Sequence, residues 1–116
     1  MPARVLLVED TPTQAEIAKA MLRDFGHEMR HAETGADGLA MAQDWHPDAI
    51  LVELVLPDFS GMELMRRLKA AGNNAACIVL TAHGSVNTAV EAMREGAIDF
   101  LLKPYAAARL RVTLDN

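Results

Sequence analysis

The chain predicts an α/β fold, a doubly wound parallel sheet of five strands flanked by five helices. Three observations carry that expectation. Val5–Val8, Ile50–Val52 and Cys77–Leu80 are apolar with no polar alternation, the pattern of strands buried on both faces of a parallel sheet. Between such runs lie stretches whose apolar residues recur at helical spacing, such as Ile17, Ala18, Met21, Leu22 and Phe25. Strand and helix patterns then alternate to the end, and right-handed crossovers place the strands parallel in one sheet.

The first strand spans Arg4 to Val8 and stops at the acid pair Glu9-Asp10. Thr11-Pro12-Thr13-Gln14 opens the first helix: Thr11 is placed to cap, proline suits the first helical position, and Gln14 would complete a capping box. Gly26 ends that helix, and His27 to His31 is polar enough for an edge strand. A second helix runs from about Ala36 to Trp45, with Thr34 as its cap and Pro47 beyond its end. The central strand, Ile50 to Val52, ends at Glu53, and a loop with Pro57, Asp58 and Gly61 leads into a third helix. Ser60 and Glu63 form a capping-box pattern there, Leu64, Met65 and Leu68 mark the apolar face, and Gly72 closes the helix. The strand Cys77–Leu80 ends at Thr81. Ser85 opens a fourth helix with Val86, Ala89, Val90 and Met93 on one side, and Gly96 stops it. A fifth strand, Ile98 to Leu102, ends at Lys103-Pro104, and a short helix with Leu110 and Leu114 finishes the chain.

With 116 residues, 51% of them hydrophobic, one domain has enough apolar surface for a packed core. A net charge of −5 argues against this segment gripping nucleic acid by itself. The single cysteine, Cys77, excludes an internal disulfide, fits a reducing compartment, and reads as core packing within its apolar run. The N-terminus lacks the charged-then-apolar pattern of a secretion signal, and no apolar run approaches the ~20 residues that span a membrane. The expectation is a soluble, cytoplasmic protein without membrane contact, one domain over residues 1–116, cut from a longer protein because the last helix is short and no polar tail follows.

Chemistry is expected where the strands end, because ligands of open α/β sheets bind outside the carboxyl ends of the strands. Those ends carry Glu9-Asp10, Glu53, Thr81 and Lys103. A single strand-end acid is ordinarily just solvated, but acids packed together repel by roughly 4 kcal/mol per pair at 4 Å with an effective dielectric near 20. A counter-cation is therefore implied. Hard oxygen ligands with open water positions favour Mg²⁺ over zinc, since no histidine or cysteine pair offers a softer site. His27, His31 and His46 have no ligand spacing, and Trp45 reads as a helix-end packing residue.

These residues carry a resemblance over essentially the whole chain. Val8-Glu9-Asp10, Pro47-Asp48, Leu56-Pro57-Asp58 with Gly61, Thr81-Ala82, and Gly96-Ala97-Ile98-Asp99-Phe100 leading to Lys103-Pro104 resemble the receiver domain of two-component response regulators. Each piece is weak alone; their order and spacing together are specific. The resemblance implies a flavodoxin-like sheet of order 2-1-3-4-5. It also implies phosphoryl transfer from the histidine of a sensor kinase or phosphotransfer protein to an acid at the end of the third strand, beside Mg²⁺. In this chain Asp10 and the acid at 53 would ligate the metal, with the carbonyl of Val55 a further ligand and Glu9 helping through water. Thr81 and Lys103 would contact the phosphoryl oxygens, the Lys103-Pro104 bond would be cis, and Phe100 would swing inward as Thr81 moves. The stretch from Thr81-Ala82-His83-Gly84-Ser85 to Lys103-Pro104 looks most like receivers attached to AAA+ ATPase transcription activators that work with the alternative sigma factor and carry a DNA-binding domain.

One residue departs from the pattern. The family's acceptor is aspartate, and position 53 is glutamate. Its extra methylene carries the carboxylate outward by roughly one C–C bond, ~1.5 Å. Phosphoryl transfer depends on positioning, and a 1 Å error costs on the order of 10²-fold, so efficient phosphorylation of Glu53 is disfavoured. The displaced carboxylate moves charge toward where phosphoryl oxygens would sit, but brings about one charge against roughly −1.5 to −2 for a phosphate. Three readings follow: a glutamate that mimics the phosphorylated state, a receiver that works as a phosphorylation-independent docking module, and a small Mg²⁺-dependent phosphotransferase or phosphatase. The third lacks a second acid placed as general acid and room for a substrate cap. The signal would leave through the fourth helix, fifth strand and fifth helix, where Val86, Ala89, Met93 and Tyr105 are candidate contacts. Arg94, Arg109 and Arg111 are placed to pair with Glu91, Glu95 or Asp99 across a homodimer.

Overall fold

A computed structural model of the chain describes residues 2–116. Strands β1 (Arg4–Val8), β2 (Glu28–Ala32), β3 (Ala49–Val52), β4 (Ala76–Thr81) and β5 (Ala97–Leu102) alternate with helices α1 (Pro12–Asp24), α2 (Gly35–Trp45), α3 (Gly61–Ala70), α4 (Val86–Arg94) and α5 (Ala107–Asp115). The strands are all parallel in the order β2-β1-β3-β4-β5, as expected. Successive strand residues point to opposite faces, which divides the core into two layers. Leu6, Val8, Ile50, Val52 and Val79 pack with Ala42, Leu64, Met65, Leu68 and Ala92. Val5, Leu7, Leu51, Ile78 and Leu80 pack on the other face with Ala15, Ala18, Leu22 and Leu110. Each fully buried branched side chain contributes roughly 1.5–3 kcal/mol, so these two layers dominate the stability of the sheet.

The strand register aligns the functional edge. Val8 lies beside Val52, and Val52 beside Val79. Glu9 and Glu53 therefore leave neighbouring strands at the same level, with Thr81 just beyond on β4.

Local signals hold at most helix ends. Thr34 Oγ1 accepts the Asp37 amide at 3.0 Å, Ser60 Oγ that of Glu63 at 3.1 Å, and Ser85 Oγ that of Thr88 at 3.1 Å. The Thr11–Gln14 capping box is not formed: Thr11 stands at the N-cap without a side-chain bond, and Pro12 opens the helix on its own conformational preference. Glu63 pairs with Arg66 and Arg67 rather than closing a box with Ser60. Helix α2 ends on a left-handed His46, φ 53°, instead of a glycine, and its amide closes on the Ala42 carbonyl. Trp45 and Cys77 are buried as expected, and burial pushes the Cys77 thiol up to about 11.

One face differs from expectation, and one candidate contact surface is exposed as its role requires. Ile17 is 44% exposed, because α1 buries Ala15, Ala18 and Leu22 instead. On α4 only Ala92 is buried, while Val86 is 80% exposed and Val90 and Met93 also face outward. Helix α4 packs on edge strand β5, and these apolar side chains lie outside the core. Among the described residues no helix is long and apolar enough to cross a membrane.

The β3–α3 loop is held at both ends. Gly61 donates its amide to the Leu54 carbonyl at 2.9 Å. A Cβ there would run into the Glu53 carbonyl oxygen and lie 2.7 Å from a Val52 methyl. Asp58 accepts the amides of Gly35, Ala36 and Phe59 at 2.8, 2.9 and 2.8 Å, tying the loop to the start of α2. Desolvation raises the Asp58 pKa, but the amides of Ala36, Gly35 and Phe59 outweigh it, and the net shift is below the usual carboxylate value.

Gly61→Ala is expected to destabilise the domain by about 1–3 kcal/mol, read as a lower denaturant midpoint with unchanged slope, because backbone rather than a flexible side chain blocks the new methyl. The Asp58 clamp has the sign of a depressed carboxylate: it stabilises above the unfolded pKa, ~3.9, and is lost as pH falls through the lower folded value. Hydrogen exchange at the Gly35 and Ala36 amides should lose protection over that acid window, and Asp58→Ala should abolish the pH dependence at both.

Candidate functional site

Four strand ends meet at one edge of the sheet. Glu9, Glu53 and Thr81 are buried, and the Lys103 side chain is only 9% exposed. Two carboxylates in so dry a place need a cation, and the chain supplies one. Lys103 Nζ donates to Glu9 Oε1 and, at 3.1 Å, to Glu53 Oε1. The outer oxygens are also engaged: Glu53 Oε2 accepts the Leu54 amide at 2.6 Å, and Glu9 Oε2 accepts the Thr11 amide at 3.3 Å. Removing one partner of a buried pair leaves an uncompensated charge and typically costs 3–5 kcal/mol, so these three side chains form one unit.

Backbone fixes where that unit sits. The Lys103 amide donates to the Thr81 carbonyl at 2.8 Å, stitching the β5 exit to the end of β4. The Lys103-Pro104 bond is cis, as the resemblance implied. Thr81 Oγ1 accepts the His83 amide at 3.1 Å, and Glu53 is not among its partners. Phe100 is half-buried against the core layer that holds Val79 and Ala92, with its ring 3.1 Å from where a Cβ on Gly84 would lie.

The remaining expected ligands stand apart from the buried trio. Asp10 is exposed, and among the described residues its carboxylate has no hydrogen-bond partner. Val55 is 55% exposed in the loop beyond Glu53. Among the described residues no three His, Cys, Asp or Glu side chains are grouped closely enough to cage an ion on their own. The donor chemistry still fits Mg²⁺, which keeps several waters and takes only one or two protein carboxylates. Asp10 offers an exposed carboxylate next in sequence to Glu9.

Thr11, Gln14, Ile17, His83, Lys103 and Tyr105 line a cavity of about 370 Å³ that reaches Glu53. Burial, and secondarily the Glu9 charge, push the Tyr105 hydroxyl up to about 12, so it is a neutral donor at this rim. A larger hollow, about 650 Å³, lies at the opposite edge of the sheet beside His46, Asp48 and Asn73, away from these strand ends.

The structure also assigns partners that sequence reasoning left open. Asp58, placed in the motif without a role, is the clamp on α2. Asp48 accepts the Arg4 amide at 2.8 Å. His31, dismissed for lacking ligand spacing, places Nε2 2.7 Å from the Glu9 carbonyl. No local pattern reports that contact, since the two residues are joined only by strand pairing. The acids expected to pair across a dimer are engaged within the chain: Asp99 with Arg109 at 2.9 Å, and Glu91 and Glu95 with Arg66 at 3.1 and 3.0 Å.

Comparison with known proteins places the chain in a family. Regulatory protein LuxO of Vibrio vulnificus is 44% identical over 110 residues, covering 95% of this chain and 24% of LuxO. This chain thus spans about a quarter of the length of that relative. Protein PilH of Pseudomonas aeruginosa is 35% identical over 115 residues, covering 97% of this chain and 95% of PilH. A crystallised signal receiver domain from Vibrio parahaemolyticus superposes with a TM-score of 0.93 at 36% identity, covering 99% of this chain and 88% of that one. The sequence profile of the response regulator receiver domain matches residues 5–115, and the chain belongs to that family.

Proposed function

We propose that this domain is a phosphorelay receiver in which Glu53 occupies the phosphoacceptor position and acts as a partial mimic of the phosphorylated state. Receiver domains are signalling modules that work with histidine kinases and output domains and bind Mg²⁺ at the phosphorylation site. The observation that carries the reading is the contact between Lys103 Nζ and Glu53, the lysine that would otherwise meet phosphoryl oxygen. The mimicry is half complete. Thr81, the second phosphoryl-contacting residue, keeps its hydroxyl on the His83 amide, so the contact that would draw Thr81 and Phe100 inward is not made by the carboxylate.

Asp10, Glu53 and the Val55 carbonyl are the proposed Mg²⁺ ligands, with Glu9 acting through water. Bound there, the ion would neutralise charge on an incoming phosphoryl group. The chain's own contribution is to hold Glu53 with the Leu54 amide and Lys103 and to keep the site dry. A sensor kinase or phosphotransfer protein is the proposed upstream partner. The output is proposed to act through α4, β5 and α5, where Val86, Val90, Met93, Ile98, Leu102 and Val112 are exposed. The chain covers 24% of LuxO, which supports an attached output domain, proposed to be of the AAA+ ATPase and DNA-binding kind, and PilH, matched over nearly its whole length, supports a separate one. A homodimer on the same face would rest on these apolar residues, since Asp99, Glu91 and Glu95 already have partners in the chain. The second reading, phosphorylation-independent docking, is favoured by the lack of a Thr81–Glu53 hydrogen bond among the described residues.

Incubation with a small phosphodonor and Mg²⁺ separates these readings. Wild type should take up little label, and Glu53→Asp should become labelled faster by on the order of 10²-fold, because the shorter side chain restores the position of the attacking oxygen. Stable stoichiometric label on Glu53 would defeat the mimic, and turnover of a phosphate ester would revive the enzyme. If Glu53→Ala leaves the NMR shifts of Val90, Met93 and Phe100 unmoved, docking is the better description.

A further inference from the structure

Strand pairing between β1 and β2 continues one residue past Val8, where the Glu9 amide donates to the Ala32 carbonyl at 3.0 Å. There the backbone ladder runs out, because Thr34 has turned away to cap α2. The Glu9 carbonyl meets a side chain instead, His31 Nε2, at 2.7 Å. A carbonyl only accepts, so Nε2 carries the proton and donates. The peptide held in this way joins Glu9 to Asp10. Its orientation restrains ψ of Glu9 and φ of Asp10, and so the backbone from which two carboxylates project: that of Glu9, bonded to Lys103, and that of Asp10, which is exposed.

We propose that His31 is a positioning residue, whose donated N–H fixes the Glu9–Asp10 peptide and so aims both acids. It touches neither metal nor phosphoryl group. It acts from the edge strand by standing in for the missing rung of the ladder, and the precision of the acid pair depends on a residue remote from it in sequence. The metal part of this inference rests on the Mg²⁺ reading given above; the Lys103 part does not.

The test uses three variants. His31→Leu removes the donor and keeps bulk; His31→Gln places an amide N–H the same number of bonds from the backbone; His31→Asn keeps an amide but falls one bond short. Two quantities are read: Mg²⁺ affinity by calorimetry, and proton exchange of the Lys103 ammonium by NMR. Thermal unfolding checks that each variant is folded. The Leu and Asn variants should bind Mg²⁺ about tenfold more weakly and exchange the ammonium protons several-fold faster, with Gln restoring both, since partners one layer behind a ligand typically set 10–100-fold of affinity. If Leu and Asn stay within about twofold of wild type in both readings while folded, the proposal is overturned. It is equally overturned if Gln fails to restore what Leu removes, which would mark a packing role. Should wild type bind no Mg²⁺, the metal reading of the site fails, and the ammonium exchange alone decides on His31.

Discussion

One ammonium group between two buried carboxylates is the constraint on which this site depends. Glu9 and Glu53 leave adjacent parallel strands at the same level, and neither is exposed enough for water to stabilise its charge. Lys103, delivered from the far side of β4, is the cation that makes both tolerable. An ion pair of this kind gains little net stability over apolar packing, but it penalises every arrangement in which one partner is missing. The position of the Lys103 side chain, and with it the geometry presented to any incoming group, is thereby tied to all three side chains acting together.

Around that pairing the backbone is held by contacts that involve no charge transfer at all. Gly61 lets the start of α3 pass against the Glu53 carbonyl, Asp58 ties the intervening loop to α2, and the Lys103 amide stitches β5 to β4. His31 does the corresponding work for the Glu9–Asp10 peptide. The acids are therefore positioned by neighbouring elements on both sides, consistent with a site whose chemistry consists of placing oxygen atoms rather than generating a nucleophile.

The proposed route outward is held by fewer buried contacts than the site. Helix α4 buries a single residue, Ala92, and its tie to α3 runs through Arg66, whose guanidinium meets Glu91 and Glu95. The Glu95 charge is the main reason the Arg66 pKa is raised. Such exposed pairs contribute little each, which is what the proposed output through α4 requires. Thr81 stands at the junction. Its hydroxyl, engaged by the His83 amide, is the point at which the acidic site and the apolar α4–β5 surface would be coupled.

Periodicity and punctuation determined most of this architecture. Unbroken apolar runs place β1, β3 and β4 at the centre, polar His27–His31 marks an edge, and the Thr34, Ser60 and Ser85 caps form as their positions indicate. The convergence of Glu9, Glu53, Thr81 and Lys103 was also legible, because parallel strands necessarily bring their carboxyl ends to one edge. What tertiary structure alone decided concerns faces and partners. Helical spacing groups Val86, Val90 and Met93 correctly but does not say whether a sheet lies beneath them, and at the edge of the sheet it does not. Thr11 has the right chemistry for a cap and makes no such bond, while its amide goes to Glu9. The pairing of Lys103 with two acids and of His31 with the Glu9 carbonyl depends on distances between segments far apart in the chain. Side-chain partners are settled by three-dimensional proximity and desolvation, and a one-dimensional pattern carries neither.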